Sequence, residues 1–182
     1  LICGRFQIFH KGHERLVETG LLLCDRLLIL IGSAQECGTE RNPFNIVTRT
    51  NILKEIYGDR PEIMIYGIAD MTNENDICPE WGRYLLNNTD RYIHKNPEIM
   101  IYGNDDSRSG WFSKADLKNT AELILNRYDM PLSATKVREY MAKDMRKEWM
   151  DSVNPRLHKL YDTLREELMT IEFYQKLAHE RT

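Results

Sequence analysis

A long apolar run is missing from this chain. Nothing in it approaches the roughly 20 residues that a helix needs to cross a bilayer, and a leader of basic start, apolar stretch and small-residue cleavage site is not expected ahead of the first motif. A membrane is therefore not an expected partner. A basic surplus is missing too, since 25 Lys and Arg face 28 Asp and Glu for a formal net charge of -3. Nucleic-acid-binding domains usually carry the opposite balance on one face, so nucleic acid is not expected either, and an anionic ligand must be met by a local cluster of donors. Cysteine is sparse. Cys3, Cys24, Cys37 and Cys78 form no CxxC pair, so neither a structural zinc nor a disulfide framework is signalled, and a reducing cytoplasm is the expected location.

What is present suits one globular unit. A chain of 182 residues with 42% hydrophobic content can bury one substantial core, and no compositional break calls for a second. The chain opens at Leu1 directly on its first strand, and a residue or two is expected to precede it.

Hydrophobic periodicity organises the rest. Leu1 to Cys3 reads as the end of a buried strand, and Leu16, Val17, Gly20, Leu21 and Cys24 recur at helical spacing. Arg26 to Gly32 holds a continuous apolar run of strand length, as expected of a parallel strand covered on both faces. A polar loop to Pro43 leads to a helix over Val47 to Tyr57. The heptapeptide Pro-Glu-Ile-Met-Ile-Tyr-Gly occurs at 61–67 and again at 97–103. Both copies read as short buried strands led by proline, and two copies do not make a solenoid. Pro79 to Leu86 reads as a helix with proline in its first turn, and Ala121 to Leu125 as the last strand. Strands alternating with helices predict the doubly wound α/β class, a parallel five-stranded sheet with right-handed crossovers. After Asn154 the pattern changes to one apolar stripe, Leu157, Leu160, Tyr161, Leu164, Leu168 and Ile171. Residues 1–150 are thus expected to form the α/β domain. Residues 151–182, with Phe173, Tyr174 and Leu177 near the end, are expected to form helices that pack on the core or on a neighbouring subunit.

Two motifs carry the chemistry. Gly4-Arg5-Phe6-Gln7-Ile8-Phe9-His10-Lys11-Gly12-His13 lies where the first strand hands over to the first helix. It concentrates donors for a polyanion: two imidazoles three residues apart, a glycine that admits close backbone approach, and a helix N-terminus. Helical zinc pairs favour His at i and i+4, so the spacing of three argues against metal ligation. Far downstream, the hydroxyls of Ser133 and Thr135, the amides at a helix start, and Lys136 and Arg138 could clamp a diphosphate. Either motif alone is weak, because a serine before a helix is usually a cap. Together, each just after a strand of one sheet, they point to nucleotidyl transfer, which needs positioning and electrostatic stabilisation more than covalent work.

Gly4-x-Phe6-x-x-x-His10-x-Gly12-His13 with Ser133-x-Thr135-x-x-Arg138 resembles the HxGH nucleotidyltransferase superfamily, a Rossmann-like fold. Gly4-Arg5-Phe6-Gln7, Gly32-Ser33-Ala34-Gln35, Asn42-Pro43-Phe44 and Arg49 resemble, within it, the archaeal-type nicotinamide-nucleotide adenylyltransferases, over about residues 1–155. That resemblance implies attack by the 5'-phosphate of nicotinamide mononucleotide (NMN) on the α-phosphate of ATP, giving NAD and pyrophosphate. Mg2+ would assist, with its ligands unassigned by the sequence. His10, His13 and Arg138 would be catalytic. Gly4, Arg5, Phe6, Gln7, Gly12, Ser133, Thr135 and Lys136, with Arg138, would bind ATP. Asn42, Phe44, Arg49, Asp70 and Trp81 would bind NMN, and a homo-oligomer is expected. Asp105 and Asp106 resemble a polar stretch of related enzymes after the fourth strand. The chain departs from the family at Ile8, where proline is common, and in the loop Gln35 to Glu40, which lacks a histidine common there. Alternatives that stay open are another phosphate acceptor, such as nicotinic acid mononucleotide or phosphopantetheine, and a nucleotide sensor without catalysis.

Overall fold

A computed structural model of the chain describes residues 1–71, 78–103, 110–126 and 130–180. Among these residues five strands run β1 (Ile2–Gly4), β2 (Leu27–Ile31), β3 (Ile63–Gly67), β4 (Ile99–Gly103) and β5 (Ala121–Leu125). Every ladder is parallel: β1 pairs with β2, β2 with β3, and β4 with β5. The Leu1 nitrogen donates to Ile99 O at 2.7 Å and the Ile101 N–H donates to Leu1 O at 2.9 Å. That pair of bonds is the parallel pattern, and it stitches the two ladders in the order β3-β2-β1-β4-β5.

The order reverses between β1 and β4, the place where doubly wound sheets bind ligands at the carboxyl ends of their strands. Helices α1 (Lys11–Leu23) and α2 (Ile46–Tyr57) cover one face, and α3 (Pro79–Ile93) covers the other. Strand β2 shows why its sequence is apolar throughout. Leu27, Ile29 and Ile31 enter the core under α1 and α2, while Leu28 and Leu30 enter the core under α3.

The repeated heptapeptide meets two different fates. In β4, between β1 and β5, Met100, Ile101 and Tyr102 are buried. In β3, at the sheet edge, the corresponding Met64 and Ile65 are only half-buried and Tyr66 is 42% exposed, stacked on Tyr92 with ring centres 3.9 Å apart. The expectation that both copies are buried is corrected for the first, because β3 has a neighbour on one side only.

The C-terminal part of the chain holds α4 (Ala134–Ala142), α5 (Arg146–Ser152), a 3-10 helix (Pro155–Leu160), α6 (Tyr161–Leu168) and α7 (Glu172–His179). The predicted apolar stripe is therefore broken into three pieces, and Ile171 turns the chain by adopting an extended conformation before α7. Trp149, Val153, Leu157, Tyr161, Leu164, Leu168 and Tyr174 all join the core under α1 and α2. Glu167 of α6 reaches the start of α2, where its carboxylate accepts from Asn45 N (3.3 Å), Asn45 Nδ2 (3.1 Å) and Thr48 Oγ1 (2.8 Å). A carboxylate there opposes the positive end of the helix dipole. No helix among the described residues is long and apolar enough to cross a membrane.

Candidate active site

His10 leaves β1 in an extended conformation and caps α1. Its Nδ1 accepts from Gly12 N at 3.1 Å, while its own N–H donates to His13 Nδ1 at 3.4 Å. With each Nδ1 accepting a backbone N–H, the proton of each neutral ring sits on Nε2. The rings stack with centres 3.8 Å apart and planes inclined by 25°. Gly12 makes this possible, because a Cβ there would meet His10 Cε1 at 2.9 Å and Nδ1 at 3.0 Å. Phe6 supports the pair from below, edge-on to His13 at 5.1 Å.

The loop carrying the motif is strained. Phe6 has φ 49° and the fully buried Ile8 has φ 147°, a cost of the kind that gathers at functional sites. Proline, locked near -65°, could not take the Ile8 conformation, so a packed apolar side chain shapes this turn instead of a ring.

Ser133 caps α4, its Oγ accepting from Lys136 N at 3.1 Å. One turn later Arg138, only 6% exposed, is held on three sides. Nε donates to Tyr174 Oη at 2.6 Å, Nη1 to Gln7 O at 2.7 Å and Nη2 to Thr135 Oγ1 at 3.3 Å. Two of its five N–H groups are thus left for a ligand.

Both motifs line one cleft of about 730 Å³. Gly4, Arg5, Phe6, Gln7, His10, Gly12 and His13 form one wall, and Ser133, Thr135 and Arg138 form the other. Two helix N-termini, those of α1 and α4, open into it through their caps, an arrangement that favours anions. The cleft also contains residues that the motifs did not single out, among them Arg15, Glu40, Arg41, Phe173, Tyr174 and Leu177. Arg15 and Arg41 lie outside any recognisable pattern. For α7, Phe173, Tyr174 and Leu177 signalled packing, with nothing to say that all three line the cleft.

Other expected site residues sit elsewhere. Lys136 is off the cleft wall, paired with Glu139 at 2.9 Å and lying over the Tyr140 ring at 5.1 Å. Phe44 is fully buried, and its backbone N and O are clamped by the Gln7 side-chain amide at 2.9 and 3.1 Å. Asn42 is buried in the same loop, its N–H on Thr39 Oγ1 at 3.0 Å. Arg49 is fully buried and donates to the carbonyls of Arg5 (2.9 Å), Gly32 (2.7 Å), Ser33 (2.9 Å) and Asn45 (3.3 Å). Burial lowers its pKa to about 10, against the pull of the Asp70 carboxylate, so it stays charged at neutral pH and ties the ends of β1 and β2 to α2. Asp70 follows β3, its N–H on Gln35 Oε1 at 3.0 Å. Trp81 is buried in α3, tilted on Tyr84 and edge-on to Trp111. Asp105 and Asp106 lie outside the described residues.

No group of three or more His, Cys, Asp or Glu able to hold a metal occurs among the described residues.

Comparison with known proteins agrees with this geometry. The cytidylyltransferase-like family model matches residues 1–140. A nicotinamide-nucleotide adenylyltransferase of Saccharolobus solfataricus is 36% identical over 104 residues, 53% of this chain and 58% of that protein. One from Halobacterium salinarum is 49% identical over 93 residues, 47% of this chain and 52% of that protein. The chain thus spans little more than half the length of these curated relatives. Among solved structures, a bifunctional NMN adenylyltransferase/ADP ribose pyrophosphatase from Francisella tularensis, complexed with AMP and a Mn ion, covers 98% of this chain and 52% of its own. Its TM-score is 0.68 at 20% identity, a likeness of fold.

Proposed function

The chain belongs to the cytidylyltransferase-like family, and from that premise we propose that it is an adenylyltransferase that joins ATP and NMN to give NAD and pyrophosphate. The observation that carries this is the convergence of the His10 and His13 pair with Ser133, Thr135 and Arg138 on a single cleft. The names of the archaeal relatives favour NMN as acceptor.

In the reaction, an oxygen of the NMN 5'-phosphate forms a bond to the ATP α-phosphorus while the bond to the bridging β-phosphate oxygen breaks. Pyrophosphate leaves with that electron pair. His10 and His13 direct Nε2–H donors at the α-phosphate as charge builds on it, and the α1 N-terminus adds favourable potential. Arg138, Thr135 and the capped start of α4 hold the departing diphosphate. No side chain needs to act as a nucleophile. Magnesium bound to the nucleotide would neutralise phosphate charge.

Asn42, Phe44 and Arg49 serve the acceptor indirectly, by fixing the loops after β1 and β2 from behind. Asp70 is only partly buried and stands nearer to solvent than those three, so it is the better candidate for direct contact. Incubation with ATP, magnesium and NMN should yield NAD and pyrophosphate in equal amounts, and absence of product overturns the proposal. Nicotinic acid mononucleotide and phosphopantetheine, run in parallel, rank the acceptors; a higher kcat/KM for either would move the assignment to that substrate.

A further inference from the structure

The cleft has a part outside the stretch that the family model matches. Helix α7, some 30 residues beyond position 140, contributes Phe173, Tyr174 and Leu177 to its wall. Tyr174 is 2% exposed, and its hydroxyl is bonded on both sides. It accepts from Arg138 Nε at 2.6 Å and donates to Glu40 O at 2.6 Å. Glu40 and Arg41, the next residue, belong to the loop after β2 and also line the cleft. One phenol therefore joins three segments: α4 with its arginine, the loop after β2, and the C-terminal helix.

We propose that Tyr174 is a positioning residue for phosphate binding: through its hydroxyl it orients the Arg138 guanidinium and holds the loop that presents Arg41 to the same cleft. The geometry gives the hydroxyl this role. A guanidinium is a planar fork whose bidentate contacts depend on the angle of its plane. Gln7 O and Thr135 Oγ1 take one N–H from each terminal nitrogen, and Tyr174 takes the only N–H of Nε. With Nε anchored, the two remaining N–H groups have one direction. Burial raises the pKa of the phenol, against the opposing charge of Arg138, so the hydroxyl keeps the proton it donates to Glu40 O.

This inference rests on the cleft being a nucleotide phosphate site, and pyrophosphate binding tests the two ideas separately from the acceptor. Calorimetric titration of the full chain with magnesium pyrophosphate is run on wild type, Tyr174→Phe, Arg138→Ala and the double variant. Tyr174→Phe keeps the ring in the core, beside Phe173, and thermal melting checks that the fold is retained. Loss of one hydrogen bond to a charged group corresponds to about ten- to hundredfold, so Tyr174→Phe should weaken pyrophosphate by that factor. In turnover the same loss should fall on kcat more than on the KM of the acceptor. In the Arg138→Ala background the Tyr174→Phe change should have a smaller effect, because the part that acts through the arginine is gone and only the hold on the Arg41 loop remains. Unchanged affinity in Tyr174→Phe, or effects that add fully in the double variant, would overturn the role given to Tyr174. Wild type that fails to bind pyrophosphate would instead overturn the reading of the cleft, and this proposal with it.

Discussion

Replacing Gly12 by alanine should damage the reaction while leaving the chain folded. Gly12 lies in the first turn of α1, where alanine is the better helix former by about 1 kcal/mol. The added Cβ would stand 2.9 Å from His10 Cε1 and 3.0 Å from Nδ1, whereas carbon atoms in contact settle at about 3.5–4.0 Å. The His10 ring must therefore retreat by roughly 0.5–1 Å. His10 is 5% exposed and stacked on His13, so the retreat cannot be absorbed by swinging into solvent and disturbs both rings. A misplacement of about 1 Å in a positioned group costs on the order of a hundredfold in rate. The expected result for Gly12→Ala is a kcat for NAD synthesis lowered by about ten- to a hundredfold, with a folded chain melting close to wild type, since the gain in helix propensity is offset by the displaced His10 cap. Coupled spectrophotometric detection of NAD and a thermal melt measure the two quantities. Wild-type kcat in a folded variant would refute the claim that the imidazole pair works through its exact placement over Gly12.

Three other changes probe different parts of the account. His13→Ala should lower kcat by roughly a hundred- to thousandfold, the usual cost of one donor to a charged transition state, with the fold intact by circular dichroism. Glu167→Gln removes the charge bonded to Asn45 and Thr48 at the start of α2, and denaturant melts should show a loss of about 0.5–2 kcal/mol with kcat retained. Arg49→Met strips the donors from the buried carbonyls of Gly32 and Ser33 and from Arg5 O, and urea melts should show a loss of about 3 kcal/mol or more. A loss below 1 kcal/mol would mean that those carbonyls find other donors.

The local parts of the fold were legible because local rules decide them. The apolar run of β2, the proline that opens α3 and the last strand at Ala121–Leu125 all stand where periodicity and turn chemistry place them. The two Ile-Met-Ile-Tyr-Gly segments mark the limit of that reasoning. Their composition is identical, yet one is an edge strand and the other lies inside the sheet, since burial depends on which strands pair and no residue within the segment encodes that.

The site divides in the same way. His10, His13, Ser133, Thr135 and Arg138 meet in one cleft, a grouping that their residue types and spacing after two strands suggested. Lys136 follows the same motif, but Glu139 three residues on draws it along the helix surface. Asn42, Phe44 and Arg49 resemble contact residues by sequence, and in the structure all three are buried, with the Phe44 backbone on the Gln7 amide and the Arg49 guanidinium on backbone carbonyls, partners that no motif announces. Tyr174 was visible only as one of three apolar residues, with Phe173 and Leu177, beyond the end of the stripe. Its second role comes from the return of α7 to the cleft, a long-range event that leaves no mark on helical periodicity.

The measurement that bears most directly on the central claim is the formation of NAD and pyrophosphate from ATP, NMN and magnesium by the wild-type chain, compared with His13→Ala and Arg138→Ala. Stoichiometric product from wild type, lost by a hundredfold or more in each variant, is the predicted result. Product formation that survives removal of either side chain would contradict a single site built from both motifs.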